Sequence, residues 1–160
     1  MSLTSRVVDP MNKLKVLLAE DNRGDVLLVR EALAEHGIPA DLFVMRDGGE
    51  ALDYISGIGE LDRTPCPDLV LLDLNLPKVD GLDILAEFRK HPQCTQTPVI
   101  VISSSDAPKD RERARALGVT RYFRKPSDLD EFLKLGGVVR EVIDAVPAGV
   151  IHVSERQTPH

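Results

Sequence analysis

The run Pro67-Asp68-Leu69-Val70-Leu71-Leu72-Asp73-Leu74-Asn75-Leu76-Pro77 decides the fold. It opens as a short apolar stretch suited to a strand buried on both faces. It closes on an acid, where the strand meets its loop. Parallel strands covered by helices read as continuous apolar runs of this kind. In open α/β sheets, chemistry gathers in the crevice at the carboxyl ends of the strands. The reading therefore places Asp73 at the working edge of a sheet.

Other strand ends supply its neighbours. Lys15-Val16-Leu17-Leu18-Ala19 is a second apolar run and ends in Glu20-Asp21. Pro98-Val99-Ile100-Val101-Ile102 is a third and ends in Ser103-Ser104-Ser105. Thr120-Arg121-Tyr122-Phe123-Arg124 is weaker and ends in Lys125-Pro126. Acids, a hydroxyl and an amine would then meet at one edge. Clustered carboxylates repel unless a cation joins them, and hard oxygen ligands with open positions suit Mg²⁺. Lys125 and Ser103 would be left to hold phosphate oxygens.

Composition bounds the answer. The 160 residues suit one domain with a sizeable core, and 42% apolar and 29% charged residues are ordinary for a soluble globular protein. A net charge of -6 argues against a nucleic-acid-binding face. Cys66 and Cys94 lack metal-ligand spacing, which predicts free thiols in a reducing compartment. No signal peptide or membrane-spanning run is visible, so the expected location is the cytoplasm.

Strands alternating with helical patterns imply βαβ units and a parallel sheet. The predicted helices run from about residue 23 to 36, 48 to 56, 81 to 90, 108 to 117 and 128 to 146. Residues 1–12 read as a flexible leader. Residues 147–160 read as a tail, with Val150-Ile151-His152-Val153 as a possible dimer arm. The doubly wound order 2-1-3-4-5 sets the first and third strands side by side at the switch point, joining Glu20, Asp21 and Asp73. In the last helix the apolar arc, with Leu135, Val138 and Val142 on its second stripe, is far wider than the roughly 100° a one-sided surface helix needs. That width predicts a dimer face there. Gly136-Gly137 within it predicts a close approach of backbone. His36, His91, His152 and His160 read as surface residues.

The acidic pair Glu20-Asp21, then Asp73, Ser103 and Lys125-Pro126, in this order, resemble the receiver domain of two-component response regulators. Asp80-Gly81 and the segment Arg46-Asp47-Gly48-Gly49-Glu50-Ala51-Leu52 fit the same pattern. The resemblance covers roughly residues 13–146 and implies a flavodoxin-like (βα)5 fold. It implies that Asp73 takes a phosphoryl group from a phosphohistidine on a sensor histidine kinase. It further implies Mg²⁺ held by Glu20, Asp21, Asp73 and the Asn75 backbone carbonyl, with Ser103 and Lys125 on the phosphoryl oxygens. Ser103 and Tyr122 would form the switch, and the bond before Pro126 would often be cis. The long loop before the third strand and the apolar last helix are similar to single-domain regulators that serve bacterial phytochromes, which implies a homodimer through the helix 4–strand 5–helix 5 face. With only residues 147–160 beyond the last helix, a stand-alone, non-enzymatic receiver is expected, with no nucleic-acid or membrane partner.

Two other classes compete. A phosphohydrolase of the haloacid-dehalogenase type also uses an Asp after a buried strand, but wants a second Asp two residues on, where this chain has Asn75. A receiver-like binding module that never takes phosphate usually lacks one of the acids, the hydroxyl or the Lys, and all are present here.

Overall fold

The computed structural model describes residues 13–59 and 64–146. The expected leader and dimer arm, with His152 and His160, lie outside the described residues. Five parallel strands, β1 (Leu14–Ala19), β2 (Ala40–Met45), β3 (Leu69–Asp73), β4 (Val99–Ser103) and β5 (Arg121–Arg124), form one sheet in the order β2-β1-β3-β4-β5. Side chains alternate between the two faces of each strand. Leu14, Val16, Leu18, Leu69, Leu71, Ile100 and Ile102 therefore face one core. Leu17, Ala19, Val70, Leu72, Val99 and Val101 face the other.

Helix α1 (Arg23–Glu35) covers the first core together with α5 (Leu129–Phe132) and α6 (Leu135–Ala145). Helices α2 (Gly48–Ser56), α3 (Gly81–Phe88) and α4 (Pro108–Ala116) cover the second. Side-chain caps start four of the six α-helices among the described residues. Asn22, Asp47, Asp80 and Asp128 each accept a backbone N–H in the first turn of α1, α2, α3 and α5.

Several expectations need correction. The last helix is broken. Leu133 and Lys134 form a turn, after which Gly136 N–H and Gly137 N–H donate to the carbonyls of Leu133 and Lys134, three residues back. Its second apolar stripe is spent within the protomer: Leu135 and Val142 are buried in the core with α1, and Val138 is half-buried. The width of the arc therefore gives no argument for a dimer face. The large apolar side chains exposed among the described residues are elsewhere, at Leu27, Phe43 and Leu129.

The glycine pair does mark a close approach. A Cβ at Gly136 would overlap the Ala32 carbonyl and the His36 ring. His36 is consequently not a free surface residue: its Nδ1 donates to the Ala32 carbonyl at 3.0 Å, and its ring lies beside Gly137.

Cys66 and Cys94 form a disulfide rather than two thiols, with Cα atoms 5.8 Å apart across a separation of 28 residues. Cys66 precedes β3 and Cys94 precedes β4, and these strands pair, so their loops are neighbours at the N-terminal end of the sheet. Spacing along the chain carries no sign of that adjacency. Nearby, the Arg89 guanidinium donates to the carbonyls of Cys94, Thr97 and Gly118. The peptide bond before Pro126 is trans, as are all peptide bonds among the described residues. No helix among them is long and apolar enough to cross a membrane.

Candidate functional site

Strand order sets the site. Ala19 of β1 lies opposite Leu72 of β3, Asp73 lies opposite Ile102 of β4, and Ser103 lies opposite Arg124 of β5. Glu20, Asp73, Ser103 and Lys125 are therefore delivered to one edge by four consecutive neighbours in the sheet. The Lys125 N–H donates to the Ser103 carbonyl at 2.8 Å, which extends the last ladder to the site itself.

The loop after β3 is held tightly. Asp73 Oδ1 accepts the Asn75 N–H at 3.0 Å. The N-terminus of α3 comes down directly on this loop, with Gly81 N–H donating to the Leu74 carbonyl at 3.2 Å. A Cβ at Gly81 would stand 2.6 Å from the Asp73 carbonyl oxygen. Only glycine allows so close an approach of helix to loop. On the other flank, Gly48 N–H donates to the Pro77 carbonyl, and Asp47 pairs with Lys78 at 3.3 Å. The segment Arg46–Leu52, flagged in the sequence, thus braces the loop that carries Asp73.

The carboxylates of Glu20, Asp21 and Asp73 each offer an oxygen within 4.8 Å of the others. Asp21 is exposed, Asp73 is 4% exposed and Glu20 is 1% exposed. Glu20 Oε1 lies 2.9 Å from Lys125 Nζ but accepts no aligned hydrogen bond among the described residues. Beyond that ion pair, the buried oxygen keeps acceptor capacity for a further ligand. A small divalent cation fits: three hard oxygen donors, one of them reached from solvent, suit Mg²⁺.

Lys125 is the charge centre. Its amine donates to Asp25 Oδ2 at 2.8 Å and to Asp73 Oδ2 at 3.2 Å. Burial works against the ammonium. Hydrogen bonding to Asp25, the contact with Glu20 and the charge of Asp73 outweigh it and hold the amine above its ordinary range. For Glu20, burial pushes the carboxyl up to about 7 and the Asp73 charge adds to the rise, against the pull of Lys125.

This shift has a stability consequence in metal-free protein. The folded-state value exceeds the ordinary 4.5, so between about 4.5 and 7 the folded chain binds more protons than the unfolded one. Stability from this group is complete below pH 4.5 and is lost as pH rises through 7. With EDTA present, the Glu20→Gln variant should therefore gain stability over wild type between pH 5 and 8, by on the order of 2 kcal/mol. Urea unfolding at both pH values measures this, and an unchanged difference would contradict the assignment.

Ser103 is fully buried and its Oγ accepts the Ser105 N–H at 3.0 Å. Tyr122 is half-buried: its hydroxyl donates to the Ser105 carbonyl at 3.0 Å, and the Arg111 guanidinium sits 4.3 Å above its ring. Ser103 and Tyr122 thus both hold the loop after β4. The residue that sequence reading missed is Asp25. Its signal was available only through helix phase: capping by Asn22 starts α1 at Arg23, and the third helical residue then turns back over the strand ends.

The chain matches the response regulator receiver domain model over residues 16–135. It is 38% identical over 128 residues to the response regulator Rcp1 of Synechocystis sp., covering 79% of this chain and 87% of Rcp1. The crystal structure of the phosphorylated cyanobacterial phytochrome response regulator RcpA superposes with a TM-score of 0.74 at 36% identity, over 85% of this chain and 97% of RcpA. The Mn²⁺-bound form of Rcp1 also gives 0.74, at 35% identity, over 84% of this chain and 99% of Rcp1. Fold, strand-end residues and relatives agree, and the chain belongs to the response regulator receiver family.

Proposed function

We propose that this chain receives a phosphoryl group on Asp73 from the phosphohistidine of a sensor histidine kinase, one of the phytochrome type. The observation that carries the reading is Asp73 itself: nearly buried, 3.2 Å from an ammonium, and sharing a cation-sized pocket with two further acids. The likeness to Rcp1 and to the phytochrome regulator RcpA supports the choice of kinase class.

An Asp73 carboxylate oxygen bonds to phosphorus as the phosphorus–nitrogen bond to the kinase imidazole breaks. The imidazole nitrogen leaves with the electron pair. A carboxylate needs nearby positive charge to meet a phosphoryl group, and charge on the equatorial oxygens needs neutralising. Glu20, Asp21, Asp73 and the Asn75 carbonyl would hold Mg²⁺, which would supply part of that charge when bound. Lys125 supplies the rest from 3.2 Å beside Asp73. Ser103 Oγ, already accepting from Ser105, keeps its hydroxyl proton to donate to a phosphoryl oxygen. Drawing Ser103 inward pulls on the loop that Tyr122 holds, and the change is passed to α4 and β5.

Acetyl phosphate with Mg²⁺ should add one phosphoryl group to the intact mass, and with EDTA in place of Mg²⁺ no adduct should form. No adduct, together with no binding of beryllofluoride, would sink the receiver reading and favour a module that binds partners without phosphate.

A further inference from the structure

The Lys125 amine is shared among three carboxylates, and they do not have the same future once the site is loaded. Glu20 and Asp73 belong to the group that can hold a cation, and Asp25 does not. A bound cation would compete with the amine for Glu20 and Asp73. A phosphoryl group, once transferred, offers the amine anionic oxygens of its own, so the amine is least held in the cation-loaded pocket before transfer. Asp25 is the acceptor that the cation leaves intact, and it is already the nearest, at 2.8 Å.

Asp25 is also well placed to act as a fixed post. Its N–H is held at 2.9 Å by the Asn22 cap, so the start of α1 sets its position. Its side chain is 22% exposed and that of Lys125 14%, so both groups are shielded from bulk water. Lysine is a flexible chain with a compact charge. Untethered, its amine would be drawn out toward solvent when its pocket partners are taken by other ligands.

We propose that Asp25 is a positioning residue that tethers the Lys125 amine over Asp73 while a cation occupies the pocket and the phosphoryl group has yet to arrive. The role in transfer rests on the receiver function proposed above. The tether itself has a readout of its own. Acylation of Lys125 by acetic anhydride, followed by peptide mass mapping, reports how well the amine is held. With Mg²⁺ present, Asp25→Ala should acylate at Lys125 on the order of tenfold faster than wild type. Asp25→Asn keeps an acceptor oxygen of the same shape and should fall between the two. Phosphoryl uptake from acetyl phosphate should decline in the same order, with Mg²⁺ affinity unchanged. Equal Lys125 acylation in Asp25→Ala and wild type would overturn the tether, even if Asp73 were phosphorylated normally. Faster acylation would support it even in a protein that took no phosphate, where only the receiver reading would have failed.

Discussion

Asp73→Asn should take up no phosphoryl group from acetyl phosphate or from a kinase. An amide oxygen carries no full charge and its nitrogen cannot form the acyl phosphate, so the rate should drop by about a thousandfold or more. The substitution preserves shape: Asn can still accept the Asn75 N–H where Asp73 Oδ1 does so at 3.0 Å. Loss of the adduct would therefore report chemistry rather than a collapsed loop. A second effect follows from the same charge. Asp73 helps to raise the Glu20 carboxyl, so Asp73→Asn should bring that group back toward its ordinary range and reduce the pH dependence of stability in EDTA. An adduct of undiminished yield in Asp73→Asn would place the acceptor elsewhere and overturn the assignment.

Gly136→Ala and Gly137→Ala should move stability in opposite directions. On an ordinary helix either change is favourable, because alanine restricts the unfolded chain and suits the helix. At Gly136 the new methyl would overlap the Ala32 carbonyl and the His36 ring. The carbonyl is part of α1 and can yield only if the two helices separate. Overpacking of this kind costs about 1–3 kcal/mol, and its backbone obstacle puts Gly136→Ala at the upper end. At Gly137 the nearest atoms would be 3.6 and 3.9 Å away on the His36 ring, which is ordinary contact. Gly137→Ala should accordingly gain about 0.5 kcal/mol. Urea midpoints of the two variants compare the signs directly, and a stabilised Gly136→Ala would mean that α1 and α6 are farther apart than described here.

The sheet and the grouping at its edge were legible because they depend on local signals. Apolar runs such as Leu69–Leu72 bury both faces, and each run ends on a polar residue that the strand order brings to the shared edge, so order along the chain became order along an edge. What stayed hidden depends on contacts between distant segments. The Cys66–Cys94 pairing follows from β3 lying beside β4, and nothing in a separation of 28 residues announces it. The apolar arc of the last helix was visible, but its partner was not. Leu135 and Val142 are met by α1 because Gly136 lets that helix come close, whereas the arc alone read as a face for a second subunit. Asp25 was overlooked because an acid in the first turn of a helix is explained well enough by the helix dipole.

The two ends of the β3–β4 pair are built with unequal stiffness. At the end away from the pocket, a covalent bridge joins the approaches to both strands, and the Arg89 guanidinium fastens the approach to β4. At the pocket end, Asp73 and Ser103 are followed by loops held by hydrogen bonds and by the Lys78–Asp47 and Arg111–Asp106 ion pairs, with no covalent link among the described residues. The pair is therefore clamped covalently at one end only. A pull between Asp73 and Ser103 cannot be relieved by sliding one strand along the other, since the far end is pinned. With the loop after β3 braced by α3 and Asp47, a displacement would leave through the loop after β4, which would give the proposed switch its direction before any partner arrives.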